Sequence, residues 1–278
     1  MAELAAVIER LSALKDLGEH REEAHAAFAE LKRQLNRGEA RAAEPTPDGW
    51  VTQAWVKRGI LLGFRIGQLA AHPSPAPFSF WDKDVLNSRV FDMADRVRLP
   101  PGGTTVRDGA YLAPGVICMP PVFVNIGAYI GADSMIDSHA LVGSCAQVGR
   151  RVHLSAASQI GGVLEPINAA PVVVEDDVMV GGNCGLYEGT WVRAGAVLGA
   201  GTILTRSTPI YDLVRNVVHR ASADAPLTVP EGAVVVPGSR AVQRGQGPQW
   251  GLSLYTPVIV KYRDDKTDKA VELEDWLR

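Results

Sequence analysis

From Val106 onward, apolar and polar positions repeat with a period of six. Written in sixes the chain runs VRDGAY, LAPGVI, CMPPVF, VNIGAY, IGADSM, IDSHAL, VGSCAQ, VGRRVH, LSAASQ, IGGVLE, and every hexad opens on an aliphatic residue or a cysteine. The fifth position is mostly small, as at Ala110, Ala128, Ser134, Ala140, Ala146 and Ser158. The frame resumes at Val174 (VEDDVM, VGGNCG, LYEGTW, VRAGAV, LGAGTI, LTRSTP) and again at Val229 (VPEGAV, VVPGSR). A period of six fits neither a helix nor an alternating strand. It is the pattern of a hexapeptide-repeat solenoid, in which each hexad is a short strand plus a turn with its aliphatic pointing inward. Three hexads close a triangular coil, and coils stack at the strand spacing of about 4.8 Å. The prediction is a mainly β fold, a left-handed parallel β-helix over residues 106–240. Its small fifth residues let the corners turn tightly. Between Ile160 and Val174 the frame slips by two, so 161–171 (GGVLEPINAAP) is predicted to leave one corner as a loop worth two hexads plus two residues. Such loops are the usual place for binding on a regular scaffold.

Upstream, the spacing changes to that of helices. Leu4, Ile8 and Leu11, then Ala24, Phe28 and Leu31, recur at three and four residues with charges between them, and Gly38 is a stop signal. A proline-bearing linker is predicted from Ala43 to Gly49, helical spacing again from Trp50 to Gly67, and a loop from His72 to Leu86, where Pro73, Pro75 and Pro77 fall. Residues 1–105 are thus predicted as a mostly helical domain. Residues 241–278 are predicted as a C-terminal segment, with a strand in GLSLYTPVIVKY and an amphipathic helix in TDKAVELEDWLR.

Composition narrows the classes. Twenty-eight Lys and Arg against 31 Asp and Glu give a formal net charge of −3, which shows no footprint for nucleic acid. No run of 18 apolar residues occurs, so no membrane span is expected, and Glu3, Glu9 and Arg10 interrupt the N-terminal apolar pattern, which argues against a signal peptide. The expected location is cytoplasmic. Three cysteines (Cys118, Cys145, Cys184) without a CxxC pair make neither a disulfide scaffold nor a zinc knuckle. Only His139 and His153 fall in the repeat, so no metal is expected there.

Candidate chemistry rests on polar residues that the hexad does not require. Asp137 follows an inward aliphatic, so alternation turns it outward together with His139; Glu188 sits in the turn of LYEGTW; Ser144 and Cys145 are small turn residues. Counting hexads from Ile136 to Leu186 gives eight steps, two more than a multiple of three, which sets Asp137 and Glu188 on different faces of one prism. They would meet only in a groove between subunits, and a cyclic trimer supplies one. Tyr129, Ile117 and Val122 are expected to be outward apolar residues for that interface.

VNIGAYIGADSMIDSHALVGSCAQVG (Val124–Gly149) resembles the central signature of the tetrahydrodipicolinate N-succinyltransferases. IGGVLEP, the preceding GWVTQAWVKRGILLGFRI, FWDK and SLYTPVIVK match the same family in order, over roughly residues 50 to 262. The resemblance implies transfer of succinyl from succinyl-CoA, a co-substrate rather than a resident cofactor, to the amino group of a ring-opened dicarboxylate in diaminopimelate and lysine biosynthesis. It also implies homotrimers with active sites between subunits. The family motif M-V-D-T-W-A-T-V-G-S-C reads MIDSHALVGSC here, which carries the catalytic acid to Asp137 and a substrate contact to Ser144. A family glutamate before Gly carries to Glu188. The substrate arginine before a Pro-Pro pair carries to Arg98 in RLPP, with Arg96 as the alternative. Lys261 and Arg206 are the candidate cations for the CoA phosphates. The chain departs from the family where His139 replaces a Trp and where GGNCGLYEG replaces a loop that often reads GARSEVVEG, with loss of an arginine. An acetyl donor, a non-catalytic β-helix scaffold and, less in keeping with the histidines, a zinc hydratase are the competing expectations.

Overall fold

The computed structural model describes residues 2–47, 49–74, 77–223 and 225–263; the helix expected in TDKAVELEDWLR lies outside them. From Thr105 to Leu204 the chain is a succession of two-residue strands, each pairing in parallel with the strand one coil before and one coil after. The partners are eighteen residues apart, as in Met135 opposite His153 and Leu141 opposite Phe123. Three hexads therefore make one coil, and the strands gather into three sheets that form the faces of a left-handed triangular prism. Face I carries Ile117–Cys118, Met135–Ile136, His153–Leu154, Met179–Val180 and Val197–Leu198. Face II runs from Thr105–Val106 through Leu141–Val142 and Gly185–Leu186 to Ile203–Leu204. Face III runs from Tyr111–Leu112 through Gln147–Val148 and Trp191–Val192 to Thr228–Val229.

The hexad positions explain this geometry. The opening residues Val106, Leu112, Cys118, Val124, Ile130, Ile136, Val142, Val148, Leu154 and Ile160 are all buried on the prism axis, and Val174 to Leu204 and Val229 continue the column. Each contributes on the order of 1.5–3 kcal/mol when fully buried. The small fifth residues, such as Ala110, Ala140 and Ala146, are buried at the corners. The third residue of most turns is left-handed, with φ between 54° and 67° at Asp133, His139, Cys145, Arg151, Ala157, Asp177 and Asn183. Val122 is a fifth-position residue and is buried in the core, so it is not part of an outer surface. Face I is covered at both ends. Residue 98 pairs with Ile117 below the first strand of face I, and the antiparallel pair Ala233–Ala241 and Ser253–Tyr262 extends face I at the other end.

Across the 161–171 loop the coil offset rises from eighteen to twenty-six, with Gln147 opposite Val173. The loop is thus one corner enlarged by eight residues, not two hexads plus two. Ile136 and Leu186 are seven steps apart instead of eight. Face I and face II still hold them separately, because seven is no multiple of three either.

Helices α1 (Ala2–Ala13), α2 (Arg21–Asn36) and α3 (Ala54–Ile66) pack around Ile8, Leu11, Phe28, Leu31 and Ile60 in a second core, which also takes in Ile126 and Cys145 from the prism. Gly59 and Gly63 let them approach: a Cβ at either would lie 2.4 Å from Leu31 or 2.3 Å from Phe28. Two segments expected as linker and loop are hairpins. β1 (Ala43–Thr46) pairs with β2 (Gly49–Thr52), and β3 (Leu69–His72) pairs with β4 (Phe80–Lys83). The helix expected from Trp50 therefore begins at Ala54. Pro45 is compatible with the first ribbon because each strand leaves one edge unpaired, and Pro73 and Pro77 fall between β3 and β4, outside both strands. Tyr129, expected outward for an interface between subunits, is covered by the chain's own Arg41.

Candidate active site

The corner between faces II and III brings Ser144, Glu188 and Arg206 into one column. Going up the prism it holds Ile126–Gly127, Ser144–Cys145, the 161–171 loop, Tyr187–Gly189 and Thr205–Arg206. Ser144 is buried beneath the loop, and its carbonyl accepts from Val163 N at 3.2 Å. Two contacts from the helices pin that loop: Leu164 packs into the helical core, and the fully buried Lys57 of α3 donates from Nζ to the Ala169 carbonyl, 2.5 Å away. Above it, Glu188 and Gly189 are both left-handed, with φ of 53° and 74°. Other turns reserve that conformation for the third residue alone, so Glu188 holds a strained backbone one position early. Its carboxylate accepts from Arg206 N at 3.0 Å, and the Arg206 guanidinium is tied to the carbonyls of Ser222 and Ala223. Glu188, Arg206, Ser207 and Ser222 line one shallow cleft. A Cβ on Gly189 would come within 2.4 Å of the Ala170 carbonyl oxygen, so the loop and the Glu188 turn are in direct contact.

Asp137 lies on the neighbouring corner, between faces I and II. It is half-buried, and its Oδ1 accepts from Ser138 N at 2.7 Å while its own N–H donates to Leu154. His139 beside it is exposed, its φ of 64° supported by donation to the Pro121 carbonyl. Asp137 and Glu188 therefore stand on opposite edges of face II, two coils or roughly 10 Å apart along the axis and the width of the face apart across it. Within one chain the fold does not bring them together. Between them face II presents Leu141, Gln159 and Gly185, and the Tyr187 ring lies over Gly185.

The basic candidates are dispersed. Arg98 and Arg96 are exposed at the first coil, Arg98 at the foot of face I and Arg96 in a left-handed turn. Lys261 sits in the last strand that extends face I, whereas Arg206 is on the II–III corner, so the two cations occupy different sides of the prism. Cys145 is not a poised nucleophile: burial pushes its thiol up to about 12, with only the Lys57 charge pulling it back. Among the described residues no cluster of three or more His, Cys, Asp or Glu is arranged to hold a metal ion.

Two residues that matter here escaped the sequence reading. Lys57 was hidden in the helical run WVKRGILL, where a single lysine on an apolar face was the only signal. Arg41 lay between the Gly38 stop signal and the linker expected from Ala43, in a stretch given no element. It is held down by burial, which lowers its guanidinium below the ordinary range, with Tyr129, Glu44 and Asp176 opposing.

The chain matches two family models, one described as the N-terminal part of tetrahydrodipicolinate N-succinyltransferase over residues 3–66, and one described as the hexapeptide repeat of succinyl-transferase over residues 171–206. It is 40% identical over 251 residues to the 2,3,4,5-tetrahydropyridine-2,6-dicarboxylate N-succinyltransferase of Afipia carboxidovorans, covering 88% of this chain and 86% of that one. Proteins of the same name from Bradyrhizobium diazoefficiens (38%, 92% of this chain and 90% of that one) and Sodalis glossinidius (39%, 88% and 85%) are similarly related. Relatives at 38–40% identity cover 88–92% of the chain, and on that basis the chain belongs to the tetrahydropyridine-dicarboxylate N-succinyltransferase family of hexapeptide-repeat acyltransferases.

Proposed function

We propose that the protein transfers a succinyl group from succinyl-CoA to the amino group of the ring-opened form of tetrahydrodipicolinate. The observation that carries this reading is the near-complete coverage by relatives of that name at about 40% identity. Asp137 of MIDSHALVGSC and Glu188 of YEGT also lie on the two edges of one face. The amine nitrogen attacks the thioester carbonyl, an N–C bond forms, and the C–S bond breaks as the oxyanion collapses. The proton lost from nitrogen is taken by a carboxylate, and CoA leaves as its thiol. Asp137 is assigned to accept or orient that proton. Glu188 of a neighbouring copy assists from across the groove, since no single chain brings the two within reach. Two or more copies, in a trimer by preference, would lay the Asp137 edge of one face II against the Glu188 edge of the next. N–H groups of the glycine-rich turns are suited to hold the oxyanion. Ser144, buried under the loop, supports the site by carrying that loop; Arg98 is proposed for a substrate carboxylate, and Lys261 and Arg206 for CoA phosphates. No described helix is long and apolar enough to cross a membrane, in keeping with a cytoplasmic enzyme.

The test is release of CoA thiol with succinyl-CoA or acetyl-CoA, each with and without tetrahydrodipicolinate. Acceptor-dependent release from succinyl-CoA in preference to acetyl-CoA is the expected result. Preference for acetyl-CoA would move the donor assignment, and no acceptor-dependent release from either would leave a binding scaffold.

A further inference from the structure

The third corner of the prism, between faces III and I, has no part in the reaction just described, yet it carries a cavity lined by charged and aromatic side chains. We propose that this cavity is a binding site for a small carboxylate, anchored by Arg41. The cavity has a volume of about 530 Å³ and lies between the β1–β2 hairpin, which supplies Pro45 and Trp50, and the turns that carry Arg150, Asp176 and Arg193.

Arg41 is held on three sides. Its guanidinium lies 3.6 Å from the Tyr129 ring centroid on one side and 5.3 Å from that of Trp50. Its Nε donates at 2.9 Å to Oε1 of Gln147. Gln147 is fully buried, and its amide nitrogen is committed to the backbone carbonyls of Cys145 and Ala146, so Oε1 has one direction left to face. With its ring contacts made and the Nε side used, what remains is the Nη1–Nη2 edge, and among the described residues neither nitrogen makes a hydrogen bond. That edge is the geometry that receives two carboxylate oxygens side by side.

The charges of the lining agree. Arg150 is paired with Asp176 at 3.1 Å and Arg193 with Glu175 at 3.2 Å. Trp50 Nε1 and the Ala194 N–H also donate to Glu175, at 2.9 Å each. Two acids are thus satisfied by two arginines. Glu44 acts on Arg41 through space, yet its carboxylate accepts from Gln53 Nε2 and takes no hydrogen bond from Arg41, which leaves the fork to a carboxylate ligand. The apolar body of such a ligand would lie against Pro45 and the remaining surface of Trp50, which favours an aromatic or aliphatic carboxylate over a bare ion. A purely structural role for Arg41 accounts for its ring contacts and its Nε, but not for a forked edge left open in a cavity large enough for a ligand.

The experiment titrates the full-length protein with benzoate, acetate and inorganic phosphate by calorimetry at millimolar concentrations, and soaks crystals with 4-bromobenzoate. Benzoate should bind saturably at one site per chain, more tightly than acetate or phosphate, and the bromine anomalous peak should fall between Trp50 and Arg41. Arg41→Lys keeps the charge without the fork, and Arg41→Met keeps the stem without the charge. Each should weaken benzoate about ten- to a hundredfold, the worth of a charge-assisted pair of hydrogen bonds. The bromine position is read on the unaltered protein and holds even if a variant fails to fold. Absence of saturable benzoate binding, a tighter phosphate, bromine elsewhere, or undiminished benzoate binding in both variants would overturn the assignment. None of these readouts depends on acyl transfer, so they stand apart from the test of the proposed reaction.

Discussion

Gly189 offers the sharpest check on how the loop and the Glu188 turn cooperate. Gly189 and Gly201 have almost the same left-handed backbone, φ of 74° and 76°. Alanine at either costs about 1–2 kcal/mol of backbone strain. Ala157, at φ 59° on the same corner as Gly201, shows that the prism accepts alanine in this conformation. The surroundings differ. A Cβ on Gly201 has only Pro237 Cγ near it, at 3.9 Å, an ordinary contact, whereas a Cβ on Gly189 meets the Ala170 carbonyl oxygen at 2.4 Å. Ordinary contact begins near 3.4 Å, so the loop or the Glu188 turn must retreat by about 1 Å, a displacement that can cost a well-placed catalytic group on the order of 10²-fold in rate. Both variants should lose similar backbone stability in urea denaturation. Gly189→Ala should in addition lose on the order of 10²-fold in acceptor-dependent CoA-thiol release, and Gly201→Ala should lose little. Equal turnover in the two variants would show that the loop contact does not position Glu188, and the reasoning would fail.

Replacing Val148 with Asp sets an unpaired carboxylate on the prism axis, where Val148 has no exposure, and should cost several kcal/mol in the denaturation midpoint. Asp137→Asn should leave that midpoint unchanged while lowering turnover about 10²–10⁴-fold; unfolding instead would make Asp137 a structural residue. Asp137→Asn and Glu188→Gln chains, each inactive alone, should regain activity after verified subunit exchange, because some grooves then receive both native carboxylates; mixtures as dead as the parents would refute the shared site. Light scattering should find a particle three times the 29.8 kDa chain, and a monomer at micromolar concentration would count against it. Cys118 and Cys145 are buried with their thiols pushed up to about 12. At pH 8 their thiolate fraction is therefore about a thousandfold below that of an unfolded thiol, and iodoacetamide should label them only as the chain unfolds; rapid labelling of the native protein would contradict this packing.

The inward column of the prism could be read directly from the sequence, because the direction of each side chain is a local consequence of the hexad. Val106, Ile136, Val148 and Leu204 take their places from spacing alone, and Asp137 and Glu188 stand out as residues the template does not ask for. Three things needed the tertiary structure. The loop's worth in corners could not be counted from its length, because the entropic cost of closing a surface loop grows only slowly with residues, so eight extra residues fit one corner as readily as they make a further hexad plus two. The hairpin at 43–52 was masked by Pro45, because proline's veto applies to the interior of a sheet and not to the open edge of a ribbon, and the one at 69–83 by Pro73 and Pro77, which fall between its two strands. Ser144, Lys57, the loop and Glu188 share a neighbourhood only because coils stack and α3 lies against that corner. Arg41 likewise acquires its open fork from Gln147 and Tyr129, more than eighty residues away. A period encodes which way a residue points; which distant residue it then faces is decided by how many coils, corners and helices lie between, and that is set by packing.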